Sequence, residues 1–172
     1  MKTEYSEAEL EMINLLEQHV NAELKGDLET TMATMVDNPH LLHVPNMMGG
    51  NGYEDVKNFY KNHLVGKFFP SDVIMQRISI TVGSHQIVDE LVIKFTHTTV
   101  VDCMLPEIAP TGKKVEIGVV VIAGIKDKKI THEHIYWDQA SVLFQIGLID
   151  RKGLPICGSE SAQKLIQFTG NN

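Results

Sequence analysis

Val115-Glu-Ile-Gly-Val-Val-Val-Ile-Ala-Gly-Ile-Lys-Asp-Lys-Lys-Ile-Thr-His-Glu-His-Ile-Tyr-Trp-Asp138 is the stretch whose reading decides the fold. Val115 to Ile125 is rich in β-branched residues and reads as a buried strand, Asp127-Lys128 supplies a two-residue hairpin turn, and Ile130 to Trp137 is the last strand of a sheet. Upstream, Val73 to Val82 reads as a strand that turns at Gly83-Ser84 into a long strand from about Gln86 to Val101, and Met104 to Gly112, with Pro106 and Pro110, reads as a loop.

Helices come before these strands. Ser6 and Glu9 form a capping-box signature, after which Leu10, Ile13, Leu16, Val20 and Leu24 recur at helical spacing to Gly26. Asp27 caps a second short helix, with Met32, Met35 and Val36 continuing the apolar face. Asn38-Pro39 breaks the pattern, His40 to Val44 is a short strand candidate, Gly49, Gly50 and Gly52 form a loop, and Tyr53 to about Leu64 is a third helix. A tail follows the last strand, with helices from about Gln139 to Ile146 and from about Ser159 to Phe168. Helices followed by antiparallel strands predict an α+β class in one domain, residues 1–172: a curved sheet with helices against one face and an opening at one end for a ligand.

Composition narrows the partners. Of 172 residues 43% are hydrophobic and 22% charged, and the formal net charge is −7. An acidic chain without a Lys/Arg cluster lacks the footprint for nucleic acid. The first twelve residues carry four glutamates and no apolar run, and the longest apolar run, Ile117 to Ile125, is far short of a membrane span, so the expectation is a cytoplasmic protein with no membrane contact. Cys103 and Cys157 make no disulfide framework and read as small apolar residues. Cys157 lies outside any Gly-x-nucleophile-x-Gly elbow.

Chemistry concentrates in Thr131-His-Glu-His-Ile-Tyr-Trp-Asp138. Strand alternation sets His132, His134, Tyr136 and Asp138 on one face and Thr131, Glu133, Ile135 and Trp137 on the other. Three readings stand open. The histidine row lines the cavity as acid and base groups; or His132 and His134 chelate a metal; or that row faces solvent or a subunit interface while Glu133 and Trp137 point inward. His97, in phase with Leu91, Ile93 and Phe95, is a second-strand partner or a hydrogen-bonded core residue. Glu116 reads as an outward carboxylate or a pocket residue, and of His40 and His43, with opposite parity, at most one faces the cavity.

The segments Asn38-Pro-His-Leu-Leu-His-Val-Pro45, Gly49-Gly-Asn-Gly52, Val88-Asp-Glu90, Phe95-Thr-His-Thr98, Met104-Leu-Pro106, Pro110-Thr-Gly-Lys113, His132-Glu-His-Ile-Tyr-Trp-Asp-Gln-Ala-Ser141, Val142-Leu-Phe-Gln-Ile-Gly-Leu148 and Leu154-Pro-Ile-Cys-Gly-Ser-Glu160 together resemble SnoaL-like proteins. The resemblance runs over residues 36–166. It implies the cone-shaped, nuclear-transport-factor-2-like (cystatin-like) fold of ketosteroid isomerase, scytalone dehydratase and polyketide cyclases, which abstract a proton beside a carbonyl or promote loss of water, generally without a redox cofactor. It also implies a homodimer through the outer sheet face, and an acidic residue near the last strand, the neighbourhood of Asp138.

The expectation is therefore a cofactor-independent isomerase, cyclase or dehydratase acting on a small carbonyl compound, with no metal. His97, His132, His134 and Asp138 are its expected acid/base residues, and Tyr136, Trp137, Phe95, His43 and Glu116 its expected ligand contacts. The alternatives are a non-catalytic binding or dimerisation module and a His-x-His metal enzyme.

Overall fold

The computed structural model describes residues 4–64 and 69–170. Helix α1 (Glu7–Lys25) begins as its sequence dictates: the Ser6 hydroxyl accepts the Glu9 N–H while the Glu9 carboxylate accepts the Ser6 N–H, and Gly26 ends the helix in the left-handed region at φ 71°. Its buried face, however, is Leu16, His19, Ala22 and Glu23, whereas Leu10 and Leu24 of the expected apolar stripe are exposed. Asp27 accepts the Thr30 N–H and starts α2 (Leu28–Ala33).

Strand β1 (Met35–His43) is longer than the expected His40–Val44 and runs through Asn38-Pro39. Proline has no N–H for a ladder, and its pairing is irregular there, with a register shift between Met35 and His40. The Gly49–Gly52 segment expected as a loop contributes mostly to β2 (Met48–Asn51), which hairpins back onto β1. Helix α3 (Tyr53–Phe59) follows and continues as a π-helical turn, Tyr60–Leu64, that brings Tyr60 and Leu64 into the core.

The remaining strands are β3 (Ile74–Val82), β4 (Gln86–Thr96), β5 (Lys114–Lys126) and β6 (Lys129–Trp137). Asp127 and Lys128, at φ 52° and 59°, make the tight turn of the last hairpin. The sheet order is β2-β1-β6-β5-β4-β3, antiparallel throughout except for the parallel pair β1–β6. Strand β4 stops at Thr96 rather than Val101 because the chain leaves the sheet to bury Val101, Cys103, Met104 and Leu105 in the core.

The inner face of the curved sheet carries Leu41, His43, Leu91, Ile93, Val119, Val121, Glu133, Ile135 and Trp137. The other face is partly covered by the tail. Helix α4 (Gln139–Gln145) lays the Gln145 amide on the backbone of Glu116, its Oε1 accepting from the N–H at 2.9 Å and its Nε2 donating to the carbonyl at 3.0 Å, past the last residue of β5 that β6 pairs. Helix α5 (Glu160–Thr169) buries Ala162 against Ile78 and Val92, and Leu165 lies over Gly118, where an added Cβ would come within 3.0 Å of it.

Gly49 sits at φ 142°, and a Cβ there would lie 2.0 Å from the Leu41 carbonyl oxygen; Gly112, at φ 69°, has open space around it. Gly49→Ala is expected to cost about 2–3 kcal/mol by urea unfolding and Gly112→Ala about 1 kcal/mol. Equal costs would contradict the close β1–β2 approach.

Candidate functional site

Four elements converge on a cavity of about 90 Å³ whose walls are almost entirely apolar. Helix α1 contributes Val20 and Glu23, the π-helical turn Tyr60 and Leu64, the sheet most of the wall, and the loop after β4 closes one end with Cys103 and Met104. Phe69 also lines it. A surface cleft of about 320 Å³ between α1 and β3–β5 abuts the cavity, sharing Val20, Met75, Leu91 and Val121 with it. At its rim Arg77 grips the Asp89 carboxylate with two nitrogens at 2.9 and 2.8 Å and reaches Glu17 of α1 at 3.0 Å.

One wall of this apolar space holds a cluster of ionisable groups. His19 and Glu23, one turn apart on α1, meet Glu133 of β6 and Tyr60. His19 Nε2 lies 3.2 Å from Glu133 Oε2, 3.2 Å from Glu23 Oε1 and 3.1 Å from the Tyr60 hydroxyl, and Tyr60 donates to Glu133 Oε2 at 2.9 Å. The other imidazole nitrogen is fixed by its neighbour. Thr34 donates its only hydroxyl proton to the Thr31 carbonyl at 2.6 Å, so its oxygen accepts from His19 Nδ1–H, also at 2.6 Å. Nε2 is therefore the nitrogen that titrates, and it faces the carboxylates.

The charges follow from these contacts. Burial opposes a charge on His19, but the charges of Glu133 and Glu23 and their hydrogen bonds outweigh it and hold the imidazole pKa well above 6.5. The two carboxyls are driven apart. Burial raises Glu23, with its neighbours only partly offsetting it, while for Glu133 burial is overcome by the His19 charge and by hydrogen bonds from His19 and Tyr60, leaving its pKa lowered. Burial and the two carboxylates push the Tyr60 phenol well above its usual range, so it remains a donor. His19, Glu23 and Glu133 also present ligand atoms within 4.8 Å of one another, a donor set a divalent cation could bridge.

Two further polar groups line the cavity. His43 donates Nδ1–H to the Cys103 carbonyl at 3.0 Å, and burial lowers its pKa, leaving a neutral ring edge-on to Trp137 and Phe59. The Cys103 thiol is pushed up to about 12 by burial and is inert as a nucleophile.

Of the residues singled out in the sequence, His43 and Trp137 line this cavity. The others lie elsewhere, and on β6 it is the second face, Glu133, Ile135 and Trp137, that points in. His132 and His134 stand on the outer face beside His40, and Tyr136 is 41% exposed. Burial, then repulsion from His134, lowers the pKa of both His40 and His132. Asp138 caps α4, accepting the Ser141 N–H at 3.1 Å. His97 is buried at the far end of β4, 3.2 Å from the Thr111 hydroxyl. Phe95 packs on Phe69 in the core, and Glu116 pairs with Lys94 at 3.3 Å. His19, Glu23 and Tyr60 were not anticipated, although the phase Leu16, His19, Glu23 is a helical stripe that carries the first two.

The architecture is that of solved SnoaL-like, nuclear-transport-factor-2-like and ketosteroid-isomerase-like proteins. A protein described as a SnoaL-like polyketide cyclase, from Jannaschia sp. CCS1, matches at TM-score 0.65 and 14% identity over 86% of this chain and 99% of its own. A nuclear-transport-factor-2-like protein of unknown function from Burkholderia pseudomallei matches at TM-score 0.60 and 13% identity over 80% and 98%. A protein with a ketosteroid isomerase-like fold from Catenulispora acidiphila, in complex with trimethylamine, matches at TM-score 0.59 and 11% identity over 77% and 92%. No protein-family model and no curated protein matches the chain. No helix among the described residues is long and apolar enough to cross a membrane.

The cluster sets a pH signature. His19 binds its proton more tightly folded than unfolded, so its stabilisation is complete below its ordinary value of 6.5 and is lost as pH rises through the elevated folded pKa; the raised Glu23 works in the same sense. The depressed Glu133 contributes above its ordinary 4.5 and loses that contribution as pH falls through its folded pKa. Urea unfolding from pH 4 to 10 is expected to peak near about 6.5, since the lowered pKa values of His40, His43 and His132 add stability as pH rises toward 6.5, and to decline on the alkaline side, with a flatter alkaline limb in Glu133→Gln. His19→Ala is expected to cost about 3–5 kcal/mol near the optimum, because it leaves buried carboxylates without their counter-charge. Stability that climbs steadily from pH 5 to 9 would contradict these assignments.

Proposed function

We propose that the chain is a cofactor-independent acid–base catalyst, an isomerase, cyclase or dehydratase, acting on a small and largely apolar carbonyl compound. The observation that carries this is the meeting of two buried carboxyls, Glu23 and Glu133, around His19 Nε2 at the wall of one apolar cavity, with Glu133 alone also accepting the Tyr60 hydroxyl at 2.9 Å. Groups whose surroundings differ in this way divide the roles of acid and base between them.

Glu133, kept ionised by His19, is the base that takes a proton from the carbon beside the carbonyl. Glu23, biased toward its acid form by burial, donates to the oxygen as negative charge develops there, while the Tyr60 hydroxyl, donating to Glu133 Oε2, orients the base. His19 touches both carboxylates and sets their charges; it need not touch the substrate. The apolar walls exclude water, which strengthens each of these interactions. Substrate size follows from the volume. At about 90 Å³ the cavity is smaller than the roughly 150 Å³ that holds a benzene ring, so only the reacting end of a ligand enters, with the rest extending along the cleft beside α1.

The direct test is deuterium uptake at the carbon beside the carbonyl, followed by proton NMR for a panel of small cyclic ketones and enones incubated with the protein in heavy water. Wild type is expected to accelerate exchange for some members, and Glu133→Gln to slow it by about 10²–10⁴. Glu23→Gln is expected to lose less, since the base remains. Binding of panel members with exchange no faster than background would contradict catalysis and favour a ligand-binding module of the same fold.

A further inference from the structure

On the outer face of the sheet, away from the cavity, three imidazoles meet. The parallel pairing of β1 and β6 sets His40 opposite His132 and Leu42 opposite His134, and ring centroids lie 4.8 Å apart for His40–His132, 5.1 Å for His40–His134 and 4.7 Å for His132–His134. All three are only partly buried.

The nitrogens of two of them already converge. His40 Nε2 and His134 Nε2 are 3.0 Å apart, so one ring donates its N–H to the lone pair of the other. Metal–imidazole bonds of about 2.0–2.1 Å place two neighbouring ligand nitrogens about 2.9–3.4 Å apart, for angles between right and tetrahedral. At that separation a metal ion replaces the shared proton from a position about 1.4 Å off the line between the nitrogens, with both rings tilting toward it.

The third ring has a seat made for it. Gly124 of β5 lies opposite His132, and a Cβ there would stand 2.2 Å from its Cε1, so the ring rests on the strand because that position is glycine. The Thr131 hydroxyl lies 3.0 Å from His132 Nδ1 and holds the ring in that seat. His132 stacks within 5° of parallel on His40, which holds the His40 ring from one side. The histidine ion pairs among the described residues belong to His19 and His63, and the neighbouring carboxylate on β6, Glu133, faces the cavity. The donors are therefore all imidazole, a set that suits zinc, nickel or copper rather than magnesium or calcium.

We infer that His40 and His134 form a divalent transition-metal site on the outer face of the sheet, with His132 stacked beside them and water or another exogenous ligand completing the coordination. It is separate from the cavity and does not depend on its proposed chemistry.

Isothermal titration of metal-stripped, untagged protein with zinc chloride tests it, with cobalt(II) absorption as a second readout. Wild type is expected to bind about one zinc per chain, and His40→Ala and His134→Ala each to weaken binding by at least about tenfold. His40→Gln and His134→Gln, of closer size, are expected to do the same, with thermal melts confirming that the variants fold. Glu133→Gln is expected to leave zinc affinity unchanged. No zinc binding at millimolar concentration, wild-type affinity in the His40 and His134 variants, or binding lost instead in Glu133→Gln would each overturn the assignment, the last placing the metal at His19, Glu23 and Glu133.

Discussion

The contact between His19 and Glu133 is the constraint on which the rest of the molecule depends. It joins the first helix to the last strand across 114 residues of chain, at the wall of a cavity lined mostly by hydrocarbon. An imidazolium buried alone there would lose its proton, and a carboxylate buried alone would gain one. Together, with Glu23, Tyr60 and Thr34 completing the hydrogen bonds, they keep both charges. That requirement fixes the face α1 presents to the sheet, sets Tyr60 from its π-helical turn beside Glu133, and separates the two carboxyls into a stronger and a weaker acid.

Much of the fold was legible in the sequence because it rests on local rules. The Ser6–Glu9 capping box, Gly26, the Asp127-Lys128 turn and the β-branched runs each act over a few residues, and each appears where those rules put it. The misread segments are those where tertiary pairing overrides a local signal. Pro39 is tolerated within β1 because the ladder is irregular there, and glycine stands at 49 and 50 of β2 because the backbones of β1 and of α3, respectively, leave no room for a Cβ. The chain after Thr96 keeps β-branched composition but turns away to close the cavity.

The site was legible only in part, for a different reason. Strand alternation separates the two faces of β6 but does not say which is inside, and each face carries polar and aromatic groups. The histidine row looked richer in chemistry, yet Glu133, one step out of phase, is the residue the helices cover. On α1, counting apolar residues passed over His19 and Glu23 because they are polar, although they share the phase of Leu16. Buried ionisable pairs are invisible to hydrophobic periodicity, since each partner is tolerable only in the presence of the other. The outer face shows the converse. There the helix α5 covers β3 to β5 with Ala162 and Leu165, while the histidines stand on the part of the face nearer β1.

The charge on His19 is the central claim, and proton–nitrogen NMR of the histidine side chains tests it most directly, with His19 assigned by comparison with His19→Ala. The account predicts an imidazolium that persists well above pH 6.5, with Nδ1 protonated throughout and Nε2 the titrating nitrogen, and a lower titration midpoint in Glu133→Gln. A His19 ring that is neutral at pH 6.5, or one that titrates identically in Glu133→Gln, would contradict it.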